Sequence, residues 1–158
     1  MTTFREALDR LALLSVAGVV ASYGVESVPD DLNRGQLPAL LALPIRIEDD
    51  AQSLFADRGG GFEAVAFENG PRSVTYTVTH LLVVAPVPAG SGLRSHLPSL
   101  IDLTDAYVSA LSADVTLDGA LVEPARIRVE PGVFTYGEVE YIGCAFRHTW
   151  LMDVEASS

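Results

Sequence analysis

The residues best suited to chemistry in this chain are three histidines, His80, His96 and His148, and a single cysteine, Cys144. His80 lies in the alternating run Val74, Tyr76, Val78, His80, Leu82, Val84. His148 lies in a second such run, Ile142, Cys144, Phe146, His148, Trp150, Met152. Residues two apart on a strand point the same way, so both histidines are expected on apolar, core-facing sides. If the two strands were neighbours, the pair could meet across the sheet and bind a metal, but no third ligand is evident. A satisfied core or interface histidine is the expected role. His96 precedes a helix and is expected at the surface. Cys144 and His148 share a face, yet two strand steps separate them by roughly 13 Å. They form no Cys–His dyad, and Cys144 reads as a small buried hydrophobe.

Other chemical motifs are missing from the sequence. No serine stands in a nucleophile elbow, and no His-Glu-x-x-His occurs. Arg58-Gly59-Gly60-Gly61 has neither the preceding strand nor the following Lys-Ser/Thr helix of a phosphate cradle, and reads as a turn. Glu48-Asp49-Asp50 is followed by no calcium-loop ligand series and reads as a solvated turn. The remaining carboxylates fall in turns and on solvent faces, where nothing forces a close pair with split pKa values. The expectation is a protein with no catalytic, cofactor-binding or metal-binding residues. Arg126 and Arg128 are more suggestive, because they alternate with Ala125, Ile127 and Val129 and face away from them. In a homo-oligomer an arginine stripe can meet an acidic stripe on the next copy through bidentate pairs. The plainer reading is two solvated arginines.

The elements that position these residues follow from periodicity. Thr3 and Glu6 form a capping box for a first helix through Phe4, Leu8 and Leu11 that should fade near Gly18. Val19–Tyr23 is expected to be extended, and residues 24–38 to form a loop punctuated by Gly24, Pro29, Asn33, Gly35 and Pro38. Ala39–Ile47 is an apolar segment whose Pro44 suits an edge strand or a strand end. Phe62–Glu68 and Ser73–Ala85 make a hairpin across Asn69-Gly70. The second strand should be half solvated at its threonine end and covered on both faces at Leu81 and Val83.

A helix over Leu97–Leu111 follows, with Pro98 in its first turn. Its apolar face is read as Leu97, Leu100, Ile101, Thr104, Tyr107, Val108 and Leu111. After a turn at Leu117-Asp118-Gly119 come strands Ala125–Glu130 and Glu140–Asp153. This order indicates an α+β fold, a mainly antiparallel sheet with two helices packed on one face.

The chain of 158 residues suits a single domain over 1–158, large enough to bury a core without disulfides. Leu11–Ala21 is apolar but too short to span a bilayer, and it lacks a positive preceding region, so it reads as core. All ten basic residues are arginine against twenty-one acids, a net charge of −11. That balance disfavours tight nucleic-acid binding, which depends on cationic side chains.

The layout resembles the tail-terminator or tail-completion proteins of long-tailed bacteriophages and related particles. The resemblance is one of order and texture over most of the chain. It rests on the N-terminal helix, Leu37-Pro38-Ala39-Leu40 after a loop, and the strand Val74-Thr75-Tyr76-Thr77-Val78-Thr79-His80-Leu81-Leu82-Val83-Val84. It continues through the helix Leu97–Leu111, Val133-Phe134-Thr135-Tyr136-Gly137 and Tyr141-Ile142-Gly143. It implies a virion protein without catalytic residues that forms a hexameric ring, caps the tail tube and joins it to the head. Implied partners are further copies of the chain, the tail tube protein and a head-completion or connector protein. DNA would pass through the lumen without specific binding, and no membrane is involved. Asp30, Asp31, Glu48, Asp49 and Asp50 are the loop acids expected to face a lumen or ring. Alternatives are a head–tail connector or neck-completion protein, and a small α+β enzyme or ligand-binding domain with a pocket near His80 and His148.

Overall fold

A computed structural model describes residues 2–45, 62–65, 72–87 and 93–154. Helix α1 spans Phe4–Ala12 and begins at the expected capping box. The Glu6 N–H donates to Thr3 Oγ1 at 3.2 Å, and the Thr3 N–H donates to Glu6 Oε2 at 2.8 Å. The helix buries Ala7, Leu8 and Leu11, then stops well before Gly18. Leu14 and Val16 are both buried, and two inward residues at a spacing of two require extended rather than helical chain. Gly18, at φ +89°, turns the chain into strand β1, Ala21–Tyr23.

Strand β2, Ala39–Leu43, pairs with β1 in parallel and with β4, Arg72–Pro86, antiparallel. Pro44 does end β2, but the strand is no edge: it lies between two others and all five residues are buried. Strand β3, Phe62–Val65, also pairs antiparallel with β4. β2 and β3 therefore lie end to end along one side of β4. The expected Asn69-Gly70 turn lies outside the described residues. Strand β6, Val139–Val154, runs along the whole other side of β4, and β5, Arg126–Tyr136, pairs with the far side of β6. The order is β1-β2-β4-β6-β5, antiparallel except for β1 and β2.

Both helices pack on one face of this sheet, as expected for the α+β architecture. Ala7, Leu8 and Leu11 of α1 join Leu100, Leu103, Tyr107 and Leu111 of α2, Leu97–Ser112, over Leu40, Val78, Leu82, Phe146 and Trp150. Burial of large side chains such as Trp150 contributes on the order of 2–3 kcal/mol each. On the opposite face Leu41, Leu43, Leu81, Val83, Phe134 and Tyr141 form a second core, covered by Val28, Leu32 and Leu37 of the 24–38 loop. Thr75 and Thr77, further along β4, are only half-buried. The predicted split of β4 into a two-sided and a one-sided half is thus observed.

Two sequence expectations are corrected. The buried face of α2 includes Leu103, whereas Leu97, Ile101 and Val108 are exposed. The helix carries apolar residues on more than one stripe, and spacing alone does not choose between them. β5 does not stop at Glu130 but continues through Pro131 to Tyr136. An edge strand tolerates the missing proline N–H. Gly137 and Glu138, at φ +57° and +68°, then form a two-residue hairpin turn into β6.

Candidate functional site

The sheet register brings the two core histidines together. Val78 faces His148 across β4 and β6, and His80 faces Phe146, so His80 and His148 are diagonal neighbours with ring centroids 6.2 Å apart. Both are essentially inaccessible to water. The space between them holds the hydroxyl of Tyr107, delivered from α2, rather than a pocket. Tyr107 Oη lies 2.7 Å from His80 Nδ1 and 2.6 Å from His148 Nε2. Its ring stacks on Phe146 at 3.6 Å. A buried tyrosine needs a partner for its hydroxyl, and two histidines supply it.

Trp150 sets the proton positions. Its indole N–H donates to His148 Nδ1 at 3.1 Å. Indole nitrogen is a donor only, so that nitrogen of His148 must be bare and the proton sits on Nε2. His148 Nε2–H then donates to Tyr107 Oη, and the hydroxyl proton goes to His80 Nδ1. The proton of neutral His80 is left on Nε2, an atom with no hydrogen-bond partner among the described residues. Every proton points the same way, from tryptophan to the second histidine.

Burial keeps this chain of groups neutral. It pulls His148 down to about 3. It also holds His80 well below the usual histidine range, with the charge of His148 adding to the effect. Tyr107 is held well above the ordinary phenol value, first by burial and then by Cys144. The Cys144 thiol is pushed up to about 11 by burial, against the opposing hydrogen bonds of the Glu130 backbone and Thr104. Cys144 is a core residue, as its place in the sequence suggests, and a thiol so shifted is a poor nucleophile at neutral pH. Among the described residues no three metal-ligating groups come together. The two strands are neighbours and the histidines meet, but through a tyrosine that the sequence placed only on a helix face. The signal was present: Tyr107 carries a polar tip on the buried side of α2, which must find a partner.

The other singled-out residues lie elsewhere. Arg126 and Arg128 stand on the face of β5 turned away from the helices, opposite Thr149 and Arg147 of β6. Their side chains are 76 % and 82 % exposed, and they pair with Glu123 at 3.6 Å and Glu130 at 3.2 Å. Arg147, which sequence reasoning missed, is only 17 % exposed; it binds Glu130 at 2.8 Å and Thr79 Oγ1 at 2.8 Å. Asp30 and Asp31 are exposed and lie against Gly137 at the tip of the β5–β6 hairpin. Glu48, Asp49 and Asp50 lie outside the described residues. His96 is half-buried in a short 3₁₀ turn before α2. An open cleft of about 520 Å³ runs between the ends of the two helices, lined by Arg10, Leu14, Ser15, Ala113, Asp114 and Asp118. Arg10 spends its guanidinium there on the carbonyls of Leu117 and Asp118, at 3.3 and 3.0 Å.

Compared with known proteins, the chain matches no family model and no curated protein. No helix among the described residues is long and apolar enough to cross a membrane.

Proposed function

We propose that this chain is a structural virion subunit, a tail terminator whose copies form a ring that caps the tail tube and joins it to the head. The observation that carries this reading is an exposed apolar stripe on the flank of α2. Leu97, Ile101 and Val108 form an exposed line there, Ile101 at 59 %, roughly 100° around the helix from the face packed on the sheet. An apolar stripe left exposed beside a packed face calls for a second covering surface. In a subunit of a larger particle, a neighbouring copy or the tube supplies it. The net charge of −11 fits a lumen through which DNA passes without sticking.

The buried histidines support the same reading over an enzyme or a ligand-binding domain. One nitrogen of each, His80 Nδ1 and His148 Nε2, is engaged in holding α2 to the sheet, and Tyr107 occupies the space a ligand would need. Size-exclusion chromatography with light scattering tests the proposal. A concentration-dependent ring of about six copies is expected. A rigid monomer at every concentration, or one that holds a metal or small molecule between His80 and His148, overturns it.

A further inference from the structure

The β5–β6 hairpin carries opposite charge at its two ends. At one end Arg126, Arg128 and Arg147 stand side by side on the open sheet face, with Glu123 and Glu130 as their carboxylate partners. Glu130 is shared between Arg128 and Arg147, so this patch is net positive in a chain whose overall charge is −11. At the other end the tip carries Asp30, Asp31 and Glu138, all exposed, with Glu140 exposed on the opposite side of the sheet. None of the four has an ion-pair partner among the described residues.

The tip is a formed surface. Tyr136 donates its hydroxyl to the Pro29 carbonyl, and Tyr141 donates to the Leu32 carbonyl at 3.3 Å. These bonds hold the Asp30–Asp31 backbone against Gly137 so closely that a methyl group there would stand 2.8 Å from the Asp30 carbonyl oxygen. Asp30, Asp31 and Glu138 are thereby presented together, at a mutual repulsion that a cationic partner would relieve. The chain's own patch cannot do so. The strand from Arg128 to Tyr136 alone spans eight residue steps, roughly 26 Å of extended backbone.

From this complementarity we infer that the acidic hairpin tip of one copy seats on the Arg126–Arg128 sheet face of the next. The inference rests on the ring-forming reading and names the contact that builds the ring. Arg126 and Arg128 are both largely exposed, and their pairs of 3.6 and 3.2 Å are weak enough to rearrange. A tip-to-face contact joins two different surfaces, so it propagates from copy to copy and closes when the rotation allows.

The test uses two variants of the full chain, Arg126→Glu/Arg128→Glu and Asp31→Arg/Glu138→Arg, each checked for unchanged circular dichroism. Light scattering at low salt should find the unaltered chain assembled and each variant monomeric. An equimolar mixture of the two variants should assemble again, because each reversed surface then meets its complement. Unaltered and mixed assemblies should both weaken as salt is raised. If the unaltered chain assembles and the variants assemble equally well, this contact is overturned and the ring reading stands. Variants that fail to reassemble on mixing overturn it too. If the unaltered chain stays monomeric, the ring reading falls and the contact with it.

Discussion

Trp150 donates its indole N–H to His148 Nδ1 at 3.1 Å, and this bond dictates the tautomer of both buried histidines. The hydrogen bonds tie α2 to β4 and β6 in a part of the core that is otherwise apolar. Low polarity strengthens such bonds and raises the cost of leaving any member unpaired.

Tyr107→Phe tests that cost. It keeps the ring stack on Phe146 but strips the partner from His148 Nε2–H and from His80 Nδ1. The expected loss is about 2–4 kcal/mol, read as a lower urea midpoint with unchanged slope.

Acid should unfold the protein through the same cluster. His148 is pulled down to about 3 in the folded chain, while an unfolded histidine titrates near 6.5. The folded state therefore binds fewer protons, and the stability from neutral His148 is present above pH 6.5. It is lost as pH falls from there towards 3, at about 1.4 kcal/mol per pH unit. His80, also lowered, adds to the loss in the same direction. Urea titrations at pH 7, 6 and 5 measure the slope. His148→Gln, which keeps a donor and an acceptor but no proton to gain, should flatten it.

Cys144 should resist thiol reagents in the folded chain. Its thiol is buried and pushed up to about 11, leaving almost no thiolate at pH 8. One thiol per chain should react with a colorimetric disulfide in denaturant and essentially none without it.

Gly143→Ala should damage the sheet. A Cβ there would lie 2.0 Å from the Leu82 carbonyl oxygen, where the register of β4 and β6 shifts between Val83 and Ala85. Backbone atoms cannot step aside as a side-chain end can, so a loss of about 2–3 kcal/mol is expected in thermal melts.

Ile101→Asp separates folding from assembly. Ile101 is exposed in the single chain, so the urea midpoint of the subunit should move by less than about 0.5 kcal/mol in free-energy terms. Association measured by light scattering should weaken sharply, since a charge would enter the stripe that the proposed ring covers.

Local pattern carried the sequence reading where one face of an element was plainly apolar. β4 and β6 alternate, so their core faces, including both histidines, were visible. The Thr3–Glu6 box marked the start of α1. Pattern failed where two answers fit. α2 offers Leu97, Ile101 and Val108 as well as Leu103, and only the packed sheet decides between the stripes. The strand read as Ala125–Glu130 was too short, because a strand runs on through Pro131 only at an edge, and that position depends on non-local pairing. The polar punctuation of residues 24–38 hid Val28, Leu32 and Leu37, which roof a second core. The parallel pairing of β1 with β2 and the diagonal meeting of the histidines are matters of register, set by contacts distant in sequence.

The collinear placement of β2 and β3 makes this fold a ready host for grafted sequence. Leu43 is anchored opposite Thr79 and Phe62 opposite Tyr76, so the chain leaves and rejoins β4 within roughly 10 Å. Closure entropy rises only slowly with loop length. A reporter peptide or small domain with adjacent termini could replace residues 46–61 while both anchors keep their pairing, giving each copy of an assembly its own label.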